Sequence, residues 1–214
     1  MLSEEKENSL ETLAEIRDIM NRSARFVSLS GWSGIWAGLT AIAGATIAYI
    51  WLHEPQFKYT GKVNEASLDY FDTYTVQFIK LGIAVFVVAL AGAIYFTYRK
   101  AHKLGHALWN NASRQMVTQL FFPLFAGGIF SMMFIYYGFG LFVVPACLAF
   151  YGLALISASR HTLSDIRYLG MLDVMLGCTS LFFPDYGLYF WALGFGVLHI
   201  LYGAIMWNKY DKQD

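Results

Sequence analysis

The chain has 214 residues, of which 57% are hydrophobic and only 14% are charged. A water-soluble domain normally carries about 25% charged residues, so this composition excludes a soluble globular fold and indicates a membrane protein. The formal net charge is zero, and because contacts to phosphates require a basic surface, the sequence predicts no nucleic-acid partner.

Residues 1–28 precede the first long apolar segment and are predicted to form a cytoplasmic amphipathic helix. Asn8 and Glu11 have the spacing of a capping box, and Asp18 and Arg22 have the spacing of a favourable helical ion pair. The mixed charge of the polar face favours packing on the cytoplasmic loops or on a protein partner through residues 3–28. A helix that rests at the membrane interface without a partner is the alternative.

Six apolar segments follow. A helix of about 20 apolar residues crosses a hydrocarbon core of about 30 Å. The sequence therefore predicts an all-α fold with a six-helix transmembrane domain over residues 29–207 and a cytoplasmic tail over 208–214. The predicted spans are residues 29–52, 75–98, 116–137, 139–158, 168–183 and 188–207. The fifth span is short, and Pro184 is predicted to end it.

Basic residues predict the orientation of the spans. Twelve of the 15 Lys and Arg residues lie in the two terminal segments and in every second gap between spans. The outer gap at residues 53–74 holds only Lys58 and Lys62, and Lys80 lies inside the second span. Because Lys and Arg are enriched in cytoplasmic loops, both termini are predicted to be cytoplasmic.

Small residues recur at helical spacing within the spans and let helix backbones approach each other in a bilayer. The predicted helix-packing glycines are Gly34, Gly38, Gly177, Gly196 and Gly203. A glycine also lies in the middle of each odd span and near the end of each even span. These are Gly38, Gly128 and Gly177 in the odd spans and Gly92, Gly152 and Gly203 in the even spans. The repeat predicts three helical hairpins, each beginning and ending in the cytoplasm.

Polar residues within or near the spans are candidate functional positions. Lys80 and Gln77 share one helical face, so they predict either a snorkelling lysine or a polar outer vestibule. Gln119 is expected to form an interhelical hydrogen bond. His102 and His106 have the i,i+4 spacing of a helical metal site, but no Cys or acidic residue accompanies them at ligand spacing, so no metal or cofactor is expected.

Asp173 and His199 are the leading candidates for an intramembrane polar site. Each occupies one position in a stripe of small residues, in the fifth and sixth spans respectively. Reflection of Asp173 through the turn at residues 184–187 reaches about residue 198, so the two side chains are predicted to lie together at equal depth. The pair is interpreted either as a polar contact that locks the hairpin or as a protonation or cation site; an unpaired, protonated Asp173 is the third alternative.

The segment from Tyr168 to Gly203 combines a helix with Gly177, a Phe183-Pro184 turn and a second helix that ends in a small-residue step. It resembles the hairpins of HdeD-like proteins, which are small six-span bacterial membrane proteins linked to acid resistance. It is also similar to uncharacterised six-span bacterial proteins thought to be encoded near winged-helix regulators. The resemblance implies a bacterial cytoplasmic (inner) membrane location and offers no catalytic residues.

No catalytic motif is present, so a non-enzymatic protein is expected. The first expectation is a stress-response or regulatory membrane protein that binds a cytoplasmic partner through residues 3–28. The alternative is a small transporter or channel for protons or cations that uses Asp173 and His199. A membrane enzyme would need a larger group of convergent nucleophiles, acids or metal ligands than one Asp–His pair provides.

Overall fold

The computed structural model of the chain describes residues 29–53, 73–105 and 109–212. All regular structure in these ranges is helical. The helices are α1 (Gly31–Leu52), α2 (Thr73–Lys103), α3 (Asn111–Tyr136), α4 (Gly140–Ala158), α5 (Ile166–Ser180) and α6 (Pro184–Asp211). The predicted amphipathic helix at residues 1–28, most of the predicted outer loop, His106 and the last two residues of the predicted tail lie outside the described residues.

Five of these helices, all except α5, are long and apolar enough to cross a membrane. The prediction of an all-helical, multi-pass membrane protein is therefore confirmed for the described residues. Helix α5 has 15 residues, a length of about 22 Å at 1.5 Å per residue. It ends three residues before the predicted boundary at residue 183 and is shorter than a hydrocarbon core of about 30 Å. The sixth crossing remains a prediction.

Large apolar side chains cover the outside of the bundle. Phe122 is 72% exposed and Phe182 is 81% exposed, and many other aromatic and aliphatic side chains point outward with them. Soluble monomers rarely expose contiguous apolar surface on this scale. The outer surface therefore fits a hydrocarbon environment rather than water.

Local signals in the sequence determine where the helices begin and end. The Ser30 hydroxyl accepts a hydrogen bond from the Trp32 amide and caps α1. Asn110 and Ser113 form a reciprocal capping box at the start of α3, with bonds of 2.8 and 2.9 Å. Gly138 has a φ of 77° immediately after α3, a left-handed conformation that ends many helices and favours glycine. The chain can therefore reverse directly into α4.

The helices form two packed groups of three. Helix α1 packs against α2 and α6, whereas α4 packs against α3 and α5. The two groups meet where α6 contacts α4 and α5 over a short length. Consecutive helices are thus close neighbours in α1–α2 and α3–α4, but α5 packs chiefly on α4 and α6 chiefly on α1. The predicted third hairpin would have α5 and α6 as principal neighbours, whereas each packs chiefly on another helix.

The positions of the glycines explain why α5 and α6 pack on different helices. On α6, a methyl group at Gly203 would lie 2.6 Å from the Gly31 carbonyl oxygen of α1, and one at Gly38 of α1 would lie 2.6 Å from the Gly196 oxygen. On α5, a methyl group at Gly177 would lie 2.7 Å from the Ala149 nitrogen of α4. The small-residue stripes of α5 and α6 therefore contact different helices.

A charged network joins three helix ends on one side of the bundle. Oδ1 of Asp211 accepts a hydrogen bond from Nζ of Lys100 at 2.6 Å, and both side chains are 11% exposed. Oδ2 accepts bonds of 2.9 Å from the Ser30 hydroxyl and from the Gly31 amide. A carboxylate at this position also interacts favourably with the positive N-terminal end of α1. The network fastens the start of α1 to the ends of α2 and α6.

Candidate functional site

Asp173 lies in the middle of α5 and is completely buried, with 0% exposure. Neither carboxyl oxygen has a hydrogen-bond partner among the described residues. Helix α5 directs the side chain toward α6, because a methyl group built at Gly194 would lie 3.1 Å from Oδ1 of Asp173. An ionised carboxylate without a partner is very costly away from water. The site therefore suits a protonated carboxylic acid or a carboxylate that binds a cation.

His199 lies on α6 and is 5% exposed. Its Nδ1 atom is 2.9 Å from the carbonyl oxygen of Gly194, and its Nε2 atom is 2.8 Å from the hydroxyl oxygen of Tyr151 on α4. A carbonyl can only accept, so Nδ1 carries the hydrogen of this bond. In the neutral imidazole, Nε2 is then the acceptor, and the Tyr151 hydroxyl donates to it. The two hydrogen bonds, to Gly194 of α6 and to Tyr151 of α4, fix the imidazole ring in the tautomer that carries its hydrogen on Nδ1.

The backbone of α6 is unusual at this position. Residues Ala192–Leu198 form a π-helix, and His199 begins the α-helical stretch that follows. In a π-helix the backbone bonds span five residues instead of four, which leaves room for the His199 ring to reach back to Gly194. π-Helical turns occur frequently at functional sites. The wide turn therefore positions the histidine, and Gly194 contacts both polar side chains.

Asp173 and His199 both lie beside Gly194, but among the described residues no hydrogen bond joins the two side chains. Asp173 approaches α6 at Gly194, five positions before His199, where the backbone of α6 is π-helical. Tyr151 completes the group, since its hydroxyl bonds to His199 and lies within electrostatic range of the Asp173 carboxyl. We call Asp173, Tyr151 and His199 the polar cluster.

Further polar groups lie between the polar cluster and the end of α6. The Tyr202 hydroxyl is buried, has no hydrogen-bond partner among the described residues, and lies within electrostatic range of both Tyr151 and Asp165. Asp165 accepts hydrogen bonds from Lys209 at 2.7 Å and from Tyr210 at 3.0 Å. Lys209 is 54% exposed. The polar groups thus extend from the bundle interior to an exposed ion pair.

Sequence reasoning singled out Asp173 and His199 but missed Tyr151, Tyr202 and Gly194. Tyr151 and Tyr202 each precede one of the packing glycines, Gly152 and Gly203. A buried phenol hydroxyl needs a polar partner, so a tyrosine inside a predicted span was the available signal. Gly194 carried no signal of its own, because its role depends on the π-helical backbone.

The remaining sequence candidates lie apart from the polar cluster. Lys80 and Gln77 are exposed on α2, and Gln119 is exposed on α3 rather than in a helix contact, because α3 packs on α4 through other residues. His102 lies near the end of α2 with its ring centroid 6.1 Å from that of Tyr98. None of these described side chains contributes to the polar cluster.

A Gly194→Ala substitution is expected to weaken the packing around the polar cluster. The added methyl group would overlap Cδ2 of the buried Leu148 and crowd the Asp173 carboxyl. Overpacking of this kind typically costs about 1–3 kcal/mol. Equilibrium unfolding in detergent micelles should show this loss, and Gly140→Ala is a suitable control because nothing lies within 4 Å of its added methyl group. Equal stability of the two variants would contradict the close contact at Gly194.

Comparison with known proteins returns no relatives: no protein-family model matches the chain, and no curated protein or solved structure shows significant similarity to it.

Proposed function

We propose that this chain is a small proton transporter of the membrane and that Asp173 is its protonatable site. The observation that carries the proposal is the fully buried Asp173 carboxyl without a hydrogen-bond partner among the described residues. An acid that served only to hold helices together would be expected to accept hydrogen bonds from a neighbouring helix. Ionisable residues inside membrane bundles typically mark ion pathways and proton relays.

The Tyr151–His199 hydrogen bond offers the proton a route. The Asp173 carboxyl has no hydrogen bond to Tyr151 in this arrangement, so the transfer requires a movement that brings it within hydrogen-bond distance of the Tyr151 oxygen. Asp173 then releases its proton to this oxygen, and the original hydroxyl proton of Tyr151 passes to Nε2 of His199. The products are a carboxylate and an imidazolium with hydrogens on both nitrogens, so the polar cluster remains neutral overall. The attraction between these opposite charges offsets part of the cost of ionising two buried groups. Tyr202 and Asp165 extend the route toward Lys209.

The side of the membrane follows from the basic residues. The route leads to the end of the bundle where α6 finishes, and every Lys and Arg residue that the structure describes, except Lys80, lies at or near a helix end on that side. The enrichment of Lys and Arg in cytoplasmic loops supports a cytoplasmic location for this end in a bacterial inner membrane. Asp173 and His199 are buried in this arrangement, so transport requires a rearrangement, for which the π-helical stretch at Ala192–Leu198 is the candidate element.

Proton flux into liposomes tests the proposal. Purified protein is reconstituted with a pH-sensitive dye inside the vesicles, and a potassium diffusion potential drives proton entry. We expect the proton flux of the wild type to exceed that of empty vesicles. Asp173→Asn should lose this flux, because an amide does not take up or release a proton in the pH range of the experiment. Asp185→Asn is the matched control, since Asp185 is exposed in the first turn of α6. Tyr151→Phe should also reduce the flux, because it removes the relaying hydroxyl.

Two results would redirect the interpretation. Flux that requires sodium and disappears in Asp173→Asn would assign a cation site to the same carboxyl and overturn proton transport. Equal flux in wild type, Asp173→Asn and empty vesicles would leave the regulatory role as the proposal. That role depends on residues 3–28, and binding of a soluble protein to a peptide of this sequence would support it.

A further inference from the structure

A second site lies at the charged end of the bundle, away from the polar cluster. A cavity of about 590 Å³ opens between the start of α1, the end of α2 and the end of α6. This volume is within the usual range of small-molecule sites, about 300–1,000 Å³. Its wall includes three aromatic side chains, Trp32, Phe96 and Trp207, and three basic side chains, Arg99, Lys100 and Lys103.

The cavity carries uncompensated positive charge. Among the described residues that line it, three basic side chains and one acidic side chain, Asp211, give a formal charge of +2. Lys100 is already paired with Asp211. Arg99 and Lys103 are exposed, and among the described residues neither has an ion-pair or hydrogen-bond partner. Two cations are therefore available to an anionic ligand.

The aromatic side chains form an apolar wall beside these cations. The Trp32 ring lies 6.4 Å from Phe96 in a stacked arrangement and 6.4 Å from Trp207 in an edge arrangement, measured between ring centroids. Trp32 is 49% exposed. Tryptophan and tyrosine side chains are enriched where the membrane meets water. A ligand that joins a phosphate to hydrocarbon chains would use both parts of the cavity.

We propose that this cavity binds the phosphodiester headgroup of an anionic phospholipid. The Arg99 guanidinium can bind two phosphate oxygens at once, and Lys103 adds a second positive charge. The acyl chains then run along Trp32 and Phe96 into the bilayer. The cytoplasmic leaflet supplies anionic lipids, and basic cavities between helices on that side are typical headgroup sites. This inference is independent of the proposed proton route.

Thermal unfolding of the full chain in a neutral detergent tests the lipid site. Phosphatidylglycerol, phosphatidylcholine and inorganic phosphate are titrated separately. We expect a saturable rise in Tm with phosphatidylglycerol and little change with the other two. The double variant Arg99→Gln/Lys103→Gln should need about tenfold more phosphatidylglycerol for the same shift, because it loses at least one charge-assisted contact.

The matched control is Arg114→Gln/Arg167→Gln, which removes two exposed positive charges outside this cavity. It should respond to phosphatidylglycerol like the wild type. Equal weakening of both double variants would overturn a specific site, and an equal response to inorganic phosphate would replace the lipid by a soluble anion. If the Arg99 variant does not fold, native mass spectrometry of the wild type decides, since failure to retain phosphatidylglycerol over phosphatidylcholine would also overturn the proposal.

Discussion

A Gly203→Ala substitution is expected to destabilise the bundle by about 2–3 kcal/mol. The added methyl group would lie 2.5 Å from the Ile35 nitrogen and 2.6 Å from the Gly31 oxygen, which are both backbone atoms of α1. Backbone atoms cannot rotate away as a side chain does, so α1 and α6 would have to separate. Equilibrium unfolding in detergent micelles measures the loss directly.

Gly128→Ala provides the control with the opposite sign. Gly128 lies inside α3, and nothing is within 4 Å of a methyl group added there. Alanine is favoured over glycine in a helix by about 1 kcal/mol. Gly128→Ala should therefore leave stability unchanged or raise it slightly. A loss of similar size in both variants would mean that the effect comes from helix propensity or detergent contact rather than from the α1–α6 packing.

An Asp211→Ala substitution should cost about 3 kcal/mol of unfolding free energy, the second large effect. It removes the carboxylate that accepts hydrogen bonds from Lys100, Ser30 and Gly31. Loss of one partner from a largely buried ion pair leaves the other charge uncompensated, and this is strongly destabilising. The same equilibrium unfolding experiment applies.

The ion pair between Asp165 and Lys209 supplies the comparison for Asp211. Lys209 is 54% exposed, so water and salt screen this contact. Exposed ion pairs contribute about 0–1 kcal/mol, and Asp165→Ala should therefore cost no more than about 1 kcal/mol. If the two variants lost equal stability, the network at the start of α1 would not have the structural importance that its burial implies.

The helices were largely predictable from the sequence, but their partners were not. An apolar segment must be long enough to cross the hydrocarbon, so composition alone located α1, α3 and α4 to within a few residues. The charged end of α2 continues to Lys103, five residues beyond the prediction, because helical backbone remains stable outside the apolar layer. The spacing of Gly177 and Gly203 identified packed faces. It could not indicate that one faces α4 and the other faces α1.

In the candidate site, too, the residues were predictable from the sequence but their partners were not. Asp173 and His199 were recognisable because each interrupts a stripe of small residues, and both are buried. Their relative position was not predictable, since the reflection about the turn assumed regular α-helices. The π-helical stretch at Ala192–Leu198 changes the number of residues per turn. Asp173 meets Gly194 within this stretch, and the histidine bonds to Tyr151 on α4, a helix outside the predicted pair.

The same π-helical stretch lies within α6, between its start at Pro184 and the segment that carries His199. A change of one residue in helical register corresponds to a rotation of about 100° around the helix axis. If residues 192–198 tightened into an α-helix, the part of α6 that begins at Pro184 would turn relative to the part that carries His199. Gly194 would then leave the Asp173 carboxyl, and a different α6 side chain would face it. In that case a signal at the first turn of α6 would reach the buried acid as torsion along a single helix.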